Sequence, residues 1–330
     1  MAAMDEILRI LEARRGEAVS GEQMAADLGL SRAAVWKAVS GLKDRGFRIA
    51  AGPNRGYTLA SDGGSLHPET IRRHLRAAGE FQLRVYDRVE GSSNDLVREA
   101  AVRGEAEGLA VIADTQTAGR GRQGRTFVSP PGTGAYLSLL LRPKLPAAEA
   151  VAITGIAAVA VVRAMGDLGV GGAGIKWVND IYLRGRKVCG ILTEATLDME
   201  SGGLDYAVLG IGVNLFSPPG GFPPELTEIA GAVFPGKPED DERSRLIAAI
   251  LDRFLPLYRA LPDKGWLEEY RSRSILTGRE VRFLREGREQ RGLALGVDDS
   301  ARLLLRLSDG EETALSSGEV QLVRPLKDKG

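Results

Sequence analysis

A loop rich in glycine and arginine, residues 119–125, carries the residue types best suited to binding anions. It reads Gly-Arg-Gly-Arg-Gln-Gly-Arg, and apolar runs at 108–113 and 135–141 flank it. Glycine lets backbone N–H groups approach a ligand closely, and three guanidinium groups supply fixed positive charge with forked donors. The loop therefore favours the binding of phosphates or carboxylates.

The same loop matches the dinucleotide pattern Gly-x-Gly-x-x-Gly through Gly119, Gly121 and Gly124, but its surroundings exclude that interpretation. A Rossmann loop opens directly into a helix and meets an acidic residue about 20 positions later. Here residues 127–134 contain two prolines and two glycines, and residues 135–141 are typical of a strand. An RNA-binding arginine-glycine tail is the alternative, but such tails are long, whereas this loop is short and lies between predicted strands.

The composition limits the class of protein. The chain has 330 residues, 43% of them hydrophobic and 27% charged, which indicates a soluble globular protein of two or three domains. Its 44 basic and 44 acidic residues cancel, so any nucleic-acid binding needs a local basic patch. A single cysteine, Cys189, excludes an internal disulfide and a cysteine zinc cluster. No N-terminal apolar run has signal or membrane length, so we expect a cytoplasmic protein.

Histidine is scarce, with His67 and His74 as the only two in the sequence. This argues against hydrolases that use a histidine base and against a zinc site. The Walker pattern Gly-x-x-x-x-Gly-Lys-Ser/Thr is also missing, which argues against an ordinary P-loop kinase or ATPase. The anion-binding loop must serve some other chemistry.

Residues 1–62 predict a winged helix-turn-helix domain. The first helix is expected at 4–15, and Ser20 with Gln23 has the spacing of a capping box for the second, which Gly29 ends. A basic hairpin, or wing, with a turn at 53–56 follows the third helix.

The third helix begins after its predicted cap, Ser31, and shows two different faces. Its core face is expected to contain Val35, Val39 and Leu42. From Ser31 to Arg55 the chain has six Lys or Arg and one Asp, so this region is the basic patch. Such a domain places its third helix in the DNA major groove, although three small helices can also form a protein-docking module. The predicted DNA-binding residues are Ser31, Arg32, Ala33, Trp36, Lys37 and Arg55.

Two further domains are expected, which gives an α+β fold class. Residues 66–272 alternate apolar runs with helical segments and predict a mixed sheet with helices. Within them, the helix at 147–168 is apolar on several faces and is expected to be buried against the sheet. Residues 275–327 contain five short strands separated by turns and predict a small antiparallel β-barrel.

Four segments join the glycine-arginine loop: Gly-Ser-Ser-Asn-Asp at 91–95, Lys-Trp-Val-Asn-Asp at 176–180, Arg-Lys-Val-Cys-Gly-Ile-Leu at 186–192, and Gly-Ile-Gly-Val-Asn at 210–214. In this order, between a winged helix and a small barrel, they resemble the bifunctional biotin protein ligases that also repress the biotin operon. The resemblance covers essentially the whole chain. It implies a central domain of the biotin/lipoate ligase type and an SH3-like C-terminal barrel.

The resemblance implies a biotin site built from hydroxyl, amide and cationic groups. The ureido ring, which has donors and acceptors, is assigned to Ser92, Ser93, Asn94 and Gln116. The rest of the biotin site is assigned to Arg120, Gly121, Arg122 and Lys187. Ser92 or Ser93 can in addition cap a helix at 94–102, and Ser93 replaces the Thr of many relatives.

The resemblance also implies a nucleotide site, assigned to Arg122, Phe127, Asn179, Asp180 and Asn214. Asp180 is the candidate ligand for Mg²⁺, and the predicted catalytic set is Arg122, Lys187 and Asp180. Gln123, Phe127 and Val178 stand where relatives often have Arg, Trp and Pro. From residue type alone, Lys176 and Lys187 can instead be solvated strand ends, and residues 210–214 can be a plain buried strand.

The implied reaction needs no histidine. The biotin carboxylate is already a nucleophile, so its attack on the α-phosphate of ATP requires charge neutralisation, and the product is biotinyl-5′-adenylate. A lysine of a biotin carboxyl carrier protein domain then attacks this anhydride, and Asp180 is a candidate for the base. The resemblance further implies operator DNA as a partner and a ligand-linked homodimer. A lipoate-type protein ligase and a biotin-sensing regulator without turnover are the alternative functions.

Overall fold

The computed structural model describes residues 2–44, 47–52, 56–60, 66–198, 202–236, 241–285 and 287–323. Its helices are α1 (Ala2–Ala13), α2 (Gly21–Leu28), α3 (Arg32–Asp44), α4 (Pro68–His74), α5 (Ser93–Val102), α6 (Val151–Asp167), α7 (Glu242–Arg259) and α8 (Trp266–Ser272). Its strands are β1 (Ala18–Val19), β2 (Ile49–Gly52), β3 (Gly56–Leu59), β4 (Gln82–Val89), β5 (Leu109–Gln116), β6 (Gly134–Leu141), β7 (Gly174–Lys176), β8 (Asp180–Leu183), β9 (Arg186–Leu197), β10 (Leu204–Asn214), β11 (Glu280–Arg285), β12 (Arg288–Val297), β13 (Leu303–Leu307), β14 (Glu312–Leu315) and β15 (Val320–Leu322).

The N-terminal domain is the expected winged helix. Helices α1 to α3 enclose an apolar core of their own and carry a three-stranded antiparallel sheet of order β1-β3-β2. The predicted core residues of α3, Val35, Val39 and Leu42, are buried. Strand β1 is an addition to the prediction, because two residues carry no periodic signal.

The helix caps follow from local chemistry with one correction. Ser20 Oγ accepts a hydrogen bond from the backbone N of Gln23 at 3.4 Å, and Gly29 ends α2 in the left-handed conformation (φ 64°). The capping box predicted for α2 is wrong in its second half, because the Gln23 side chain donates to Asp27 at 2.6 Å one turn later. Ser31 Oγ caps α3 by accepting from the N of Ala34 at 3.1 Å.

The central domain is built on a seven-stranded sheet of order β4-β5-β6-β10-β9-β8-β7. Among the described strands, β4 and β5 run parallel and all other neighbours in this sheet are antiparallel. Side chains of β5 alternate between the two faces. Ala110 and Ile112 join the core under α6, whereas Val111 packs with α5 on the opposite face. The predicted mixed sheet is confirmed.

Helix α6 is the central element of the main core. Twelve of its residues are buried, and it packs between β9 and the helices α7 and α8. Together with the preceding turn it forms a stretch, Ala147–Asp167, that by length and composition alone could span a bilayer; 67% of its apolar window is buried inside the described fold. The expectation of a buried apolar helix is confirmed.

The C-terminal domain is a five-stranded antiparallel sheet of order β14-β13-β12-β11-β15. Its apolar side chains, such as Val281 and Leu305, belong to the same core cluster as the central domain. Trp177 ties the two domains by donating its indole N–H to the carbonyl of Ala301 at 2.9 Å. The C-terminal sheet is therefore held firmly beside the central one.

A polar cluster joins the winged helix to the central domain. Glu12 of α1 is buried, accepts from Thr70 Oγ1 at 2.8 Å and pairs with Arg73 at 3.2 Å, both on α4. Arg73 and His74 in turn contact Asp241, the buried residue before α7, with His74 Nε2 2.6 Å away. Because each buried carboxylate has cationic or hydroxyl partners, the cluster fixes the position of the first domain.

Asp241 makes the stability of this interface dependent on pH. Burial alone raises its pKa, but the hydrogen bond from His74 and the charges of His74, Arg73 and Arg15 outweigh burial and hold the pKa of Asp241 below its usual value. The carboxylate therefore contributes stability above about pH 4, which is lost as the pH falls through the lowered pKa. We expect Asp241→Asn to lower the thermal midpoint at pH 7 by about 4 °C, the effect of losing about 2 kcal/mol in a domain of this size.

The measurement is the thermal midpoint between pH 3 and pH 7. The gap between wild type and Asp241→Asn should narrow as the pH falls below about 4, because wild type loses the contribution as the pH approaches the lowered pKa of Asp241. Asp87→Asn, at an exposed position, is the control and should follow wild type throughout. An Asp241→Asn curve that coincides with wild type at pH 7 contradicts the prediction.

Candidate ligand-binding site

A cavity of about 730 Å³ lies between the glycine-arginine loop, the segment 222–230 and strand β15 of the C-terminal sheet. Its size suits a small-molecule ligand. Its lining includes every residue predicted for the biotin and nucleotide sites: Ser92, Ser93, Asn94, Gln116, Arg120, Gly121, Arg122, Phe127, Asn179, Asp180, Lys187 and Asn214. Side chains from five separate sequence segments thus meet in one place.

The N-terminus of α5 forms the uncharged polar end of the cavity. Ser92 is the helix cap, with its Oγ accepting from Asn94 N at 3.3 Å and its own N donating to Asp95 at 3.3 Å. Gln116 Oε1 accepts from the backbone N of Ser93 at 2.8 Å, and Gln116 Nε2 donates to Ser129 at 2.9 Å. Capping and a place in the cavity are therefore compatible roles for Ser92.

A carboxylate and a hydroxyl that were not predicted complete this end. Asn94 Nδ2 donates to Glu194 of β9 at 2.7 Å, and Asn94 Oδ1 accepts from Ser138 Oγ of β6 at 2.6 Å. Ser138 Oγ also lies 2.7 Å from Ser93 Oγ. Ser92, Ser93, Asn94 and Ser138 are all buried, so this network is well ordered.

The arginines of the loop have different partners. Arg120 pairs with Asp95 at 2.8 Å and with Glu194 at 3.5 Å, and Arg122 donates to Asn179 Oδ1 at 3.2 Å. Arg125 pairs with Glu319, at the start of β15, at 2.5 Å. The loop is thus connected to α5, to the segment before β8 and to the C-terminal sheet, which lets it cover the cavity.

The other end of the cavity is charged. Lys187 Nζ lies 2.7 Å from Asp180 Oδ1 and forms an ion pair with it. Among the described residues, no group donates a well-aligned hydrogen bond to this oxygen. Burial lowers the pKa of Lys176 below its usual value; Lys187 and Arg125 add to this effect, and the carboxylates of Asp180 and Glu319 oppose it. Three cationic groups therefore face this end and are only partly balanced by the two carboxylates.

Phe127 is the aromatic residue of the glycine-arginine segment that lines the cavity. Its ring meets Tyr136 edge to face, with centroids 6.3 Å apart, and lies over two glycines of the sheet. A Cβ at Gly212 would come within 2.6 Å of the ring, and one at Gly190 within 3.3 Å. The approach of Phe127 thus excludes a side chain at position 212 unless the ring moves, and leaves only a tight fit for one at position 190.

The predicted DNA-binding residues lie on one exposed surface of α3. Arg32, Ala33, Trp36 and Lys37 are exposed, with Trp36 at 64%, and Ser31 caps the same helix. A large exposed aromatic beside two cations is unusual for a helix that needs no partner. Arg55, the predicted contact from the wing, lies outside the described residues.

Comparison with known proteins decides the family. Family models match the chain over residues 4–58 (HTH domain), 89–214 (Biotin/lipoate A/B protein ligase family) and 276–323 (Biotin protein ligase C terminal domain). The bifunctional ligase/repressor BirA of Bacillus subtilis (strain 168) is 34% identical over 308 residues, which cover 92% of this chain and 94% of that protein. The chain belongs to the BirA family of bifunctional ligase/repressors.

Two further comparisons concern the ligase part of this BirA-family chain. Biotin–[acetyl-CoA-carboxylase] ligase of Mycobacterium tuberculosis (strain ATCC 25618 / H37Rv) is 30% identical and covers 80% of this chain and 100% of that protein. The solved structure of biotin protein ligase from Aquifex aeolicus in complex with biotin and ATP is 27% identical with a TM-score of 0.61, covering 74% of this chain and 99% of that one. The predicted fold class is confirmed.

Sequence reasoning missed three residues of this BirA-family site. Ser138 had a signal, because it is the one serine in the otherwise largely apolar strand sequence at 135–141. Glu194 lies 100 residues from its partner Asn94, and Glu319 lies 194 residues from Arg125. Neither carboxylate belongs to a local pattern, so only the folded chain identifies it.

Proposed function

We propose that the cavity activates biotin with ATP to biotinyl-5′-adenylate and transfers it to a lysine of a biotin carboxyl carrier domain of the acetyl-CoA carboxylase type. One observation supports this most strongly. A single cavity joins an uncharged end of hydroxyls and amides to a cationic end at Lys187, and both occur in a BirA-family chain. A ureido ring suits the first end, and carboxylate and phosphate groups suit the second.

The roles of the side chains follow from these two ends. Ser92, Ser93, Asn94 and Gln116 bind the ureido ring. Lys187 and Arg122 bind the biotin carboxylate and the α-phosphate. They are suited to this role because their contacts with Asp180 and Asn179 place them at the charged end of the cavity. Arg120 and Gly121 close the loop over biotin. Phe127, Asn179, Asp180 and Asn214 contact the nucleotide, with the Phe127 ring available for stacking.

The chemistry uses charge rather than a protein base in its first step. A carboxylate oxygen of biotin attacks the α-phosphorus of ATP, the bond from that phosphorus to the bridging oxygen breaks, and pyrophosphate leaves. Lys187 and Arg122 stabilise the negative charge that develops on the phosphate. In the second step a neutral lysine amine attacks the biotinyl carbonyl, AMP leaves, and the amine loses a proton. Asp180 is the candidate acceptor for that proton.

Asp180 also fits Mg²⁺. No cluster of three or more metal-ligating side chains occurs in the described parts of the chain, so Asp180 would hold the ion together with groups of the substrate. Mg²⁺ at nucleotide sites is commonly held by one or two carboxylates together with substrate phosphates, and Asp180 is a carboxylate in the lining of the cavity. Bound Mg²⁺ supplies neutralisation of phosphate charge.

The test is pyrophosphate release from Mg-ATP with biotin or lipoate as the acid, followed by transfer to a carrier domain. Release with biotin alone supports the proposal. Release with lipoate alone assigns the chain to the lipoate-type alternative. Release with neither, in a protein that binds biotin, assigns it to a biotin-sensing regulator.

We also propose that the winged helix represses transcription by binding a two-fold operator as a homodimer. The exposed residues of α3 would enter the major groove of each half-site, and adenylate binding would favour the dimer by ordering the loop over the cavity. Both activities use cytoplasmic components, so we place the protein in the cytoplasm.

Lys37 provides the test of the DNA-binding surface. We expect Lys37→Gln to weaken operator binding at least about tenfold and to reduce the salt slope of log K by about 2, because the dimer loses one phosphate contact in each half-site. Fluorescence anisotropy at several salt concentrations measures both. Arg9→Gln on α1, an exposed cation paired with Glu6, is the matched control. An unchanged salt slope in Lys37→Gln shows that this face does not meet DNA.

A further inference from the structure

We infer that Glu194 is a positioning residue. Through Asn94 it sets which way the hydroxyl groups of Ser138 and Ser93 donate their hydrogen bonds at the uncharged end of the cavity. This inference rests on the proposed biotin-binding function. Glu194 lies on β9 with 32% of its side chain exposed, and its Oε2 is 2.7 Å from Asn94 Nδ2. A carboxylate only accepts hydrogen bonds at neutral pH, so this contact fixes which end of the Asn94 amide faces it.

The orientation of Asn94 then determines that of Ser138. With Nδ2 on Glu194, Asn94 presents Oδ1 to Ser138, and the 2.6 Å contact needs the Ser138 proton. Glycine at position 210 lets the Asn94 amide lie close to β10, because a Cβ there would be 2.5 Å from Asn94 Oδ1. Ser138 is fully buried, so its single proton has no solvent alternative.

The orientation of Ser138 determines that of Ser93. Since Ser138 donates its proton to Asn94, Ser93 must be the donor in the 2.7 Å contact between the two serine hydroxyls. The same Ser93 hydroxyl can donate to Gln116 Oε1, 3.0 Å away, so a single proton has two possible acceptors. A ligand N–H that donates to Gln116 Oε1 replaces the Ser93 proton there and leaves that proton for Ser138 Oγ. The reverse orientation, with Ser93 donating to Gln116, leaves the shorter Ser93–Ser138 contact without a proton.

The other contacts of Glu194 are weaker. Its Oε1 lies 3.4 Å from Arg98 and 3.5 Å from Arg120, and the side chains of both arginines are about 40% exposed. Such long, solvated pairs contribute little. Acceptor capacity, rather than charge, is thus the property of Glu194 that matters, and glutamine retains an acceptor oxygen whereas leucine does not.

The experiment measures the dissociation constant of biotin by calorimetry without ATP in Glu194→Leu and Glu194→Gln. Glu194→Leu should weaken biotin binding at least tenfold, and Glu194→Gln should stay within threefold of wild type. The KM for ATP should stay within twofold in both, which a general loss of structure would not allow. Glu105→Leu is the matched control, because Glu105 is an equally exposed carboxylate paired with Arg84 away from the cavity.

The outcomes separate this inference from the proposed function. Wild-type protein that binds no biotin overturns both. Wild-type binding together with Glu194→Leu within threefold, or with Glu194→Gln as weak as Glu194→Leu, overturns the role of Glu194 alone. If Glu194→Leu does not fold, Ser138→Ala tests the same series of hydrogen bonds. We expect this variant to bind biotin at least fivefold more weakly. An unchanged dissociation constant for biotin overturns the inference.

Discussion

Replacing Lys187 with methionine is expected to reduce kcat/KM for biotin-dependent pyrophosphate release by about 10³-fold. Removing a single group that stabilises developing charge costs about 10² to 10³ in rate. The loss is at the upper end here because Asp180, 2.7 Å away, would then face the biotin carboxylate and the phosphates without its cation. The assay is pyrophosphate release at saturating Mg-ATP, with thermal unfolding to confirm that the variant folds.

Two further variants make the Lys187 result specific. Lys144→Met, at an exposed position outside the cavity lining, should retain wild-type activity. Lys187→Arg keeps the charge in a different shape and should recover part of the lost rate. Retention of more than a tenth of the activity by Lys187→Met contradicts the proposed role and makes Arg122 or Lys176 the leading cation.

The largest loss of stability is expected for Arg243→Met. Arg243 of α7 is 2% exposed, donates through Nε to the carbonyl of Gly134 at 2.7 Å and lies 2.5 Å from Asp114. Its removal leaves a carbonyl and a carboxylate without this partner, a change that costs about 3 kcal/mol when one side of a buried pair is lost. The thermal midpoint should fall, and the KM for biotin should rise because Gly134 begins the strand that carries Ser138.

The control for Arg243 lies on the same helix. Arg245 is two residues further along α7 and is exposed, so Arg245→Met should change neither the midpoint nor the KM. If Arg243→Met unfolds at the wild-type temperature, the contacts with Gly134 and Asp114 do not hold this corner of the fold.

Much of the secondary structure was predicted from residues that are close together in the sequence. The caps Ser20, Ser31 and Ser92 are confirmed, because a helix cap depends on neighbours within a few residues of the chain. The buried helix α6 followed from composition alone. Gln23 shows where a local rule fails, since Asp27 offered its side chain a competing partner one turn away.

The residues that were not predicted from the sequence pair with partners far away in the chain. The loop and four motifs identified the cavity lining, yet Glu194, Glu319 and Arg243 reach their partners across roughly 100 residues or more. Each is an ordinary charged residue in its own stretch of sequence. The role of Glu194 follows from the order of strands in the central sheet, in which β6, β10 and β9 are neighbours although β10 follows β6 only after a long interval.

Helix α6 has a consequence for how the chain is made. During synthesis it emerges after β4, β5 and β6, but before β9, α7 and α8, which pack against it in the finished protein. A stretch with the composition of a membrane span is thus exposed on the nascent chain while only three strands of its sheet exist. Exposed apolar surface of this kind promotes aggregation and recruits chaperones. We therefore expect correct folding to require that β9, α7 and α8 cover α6 soon after they are made.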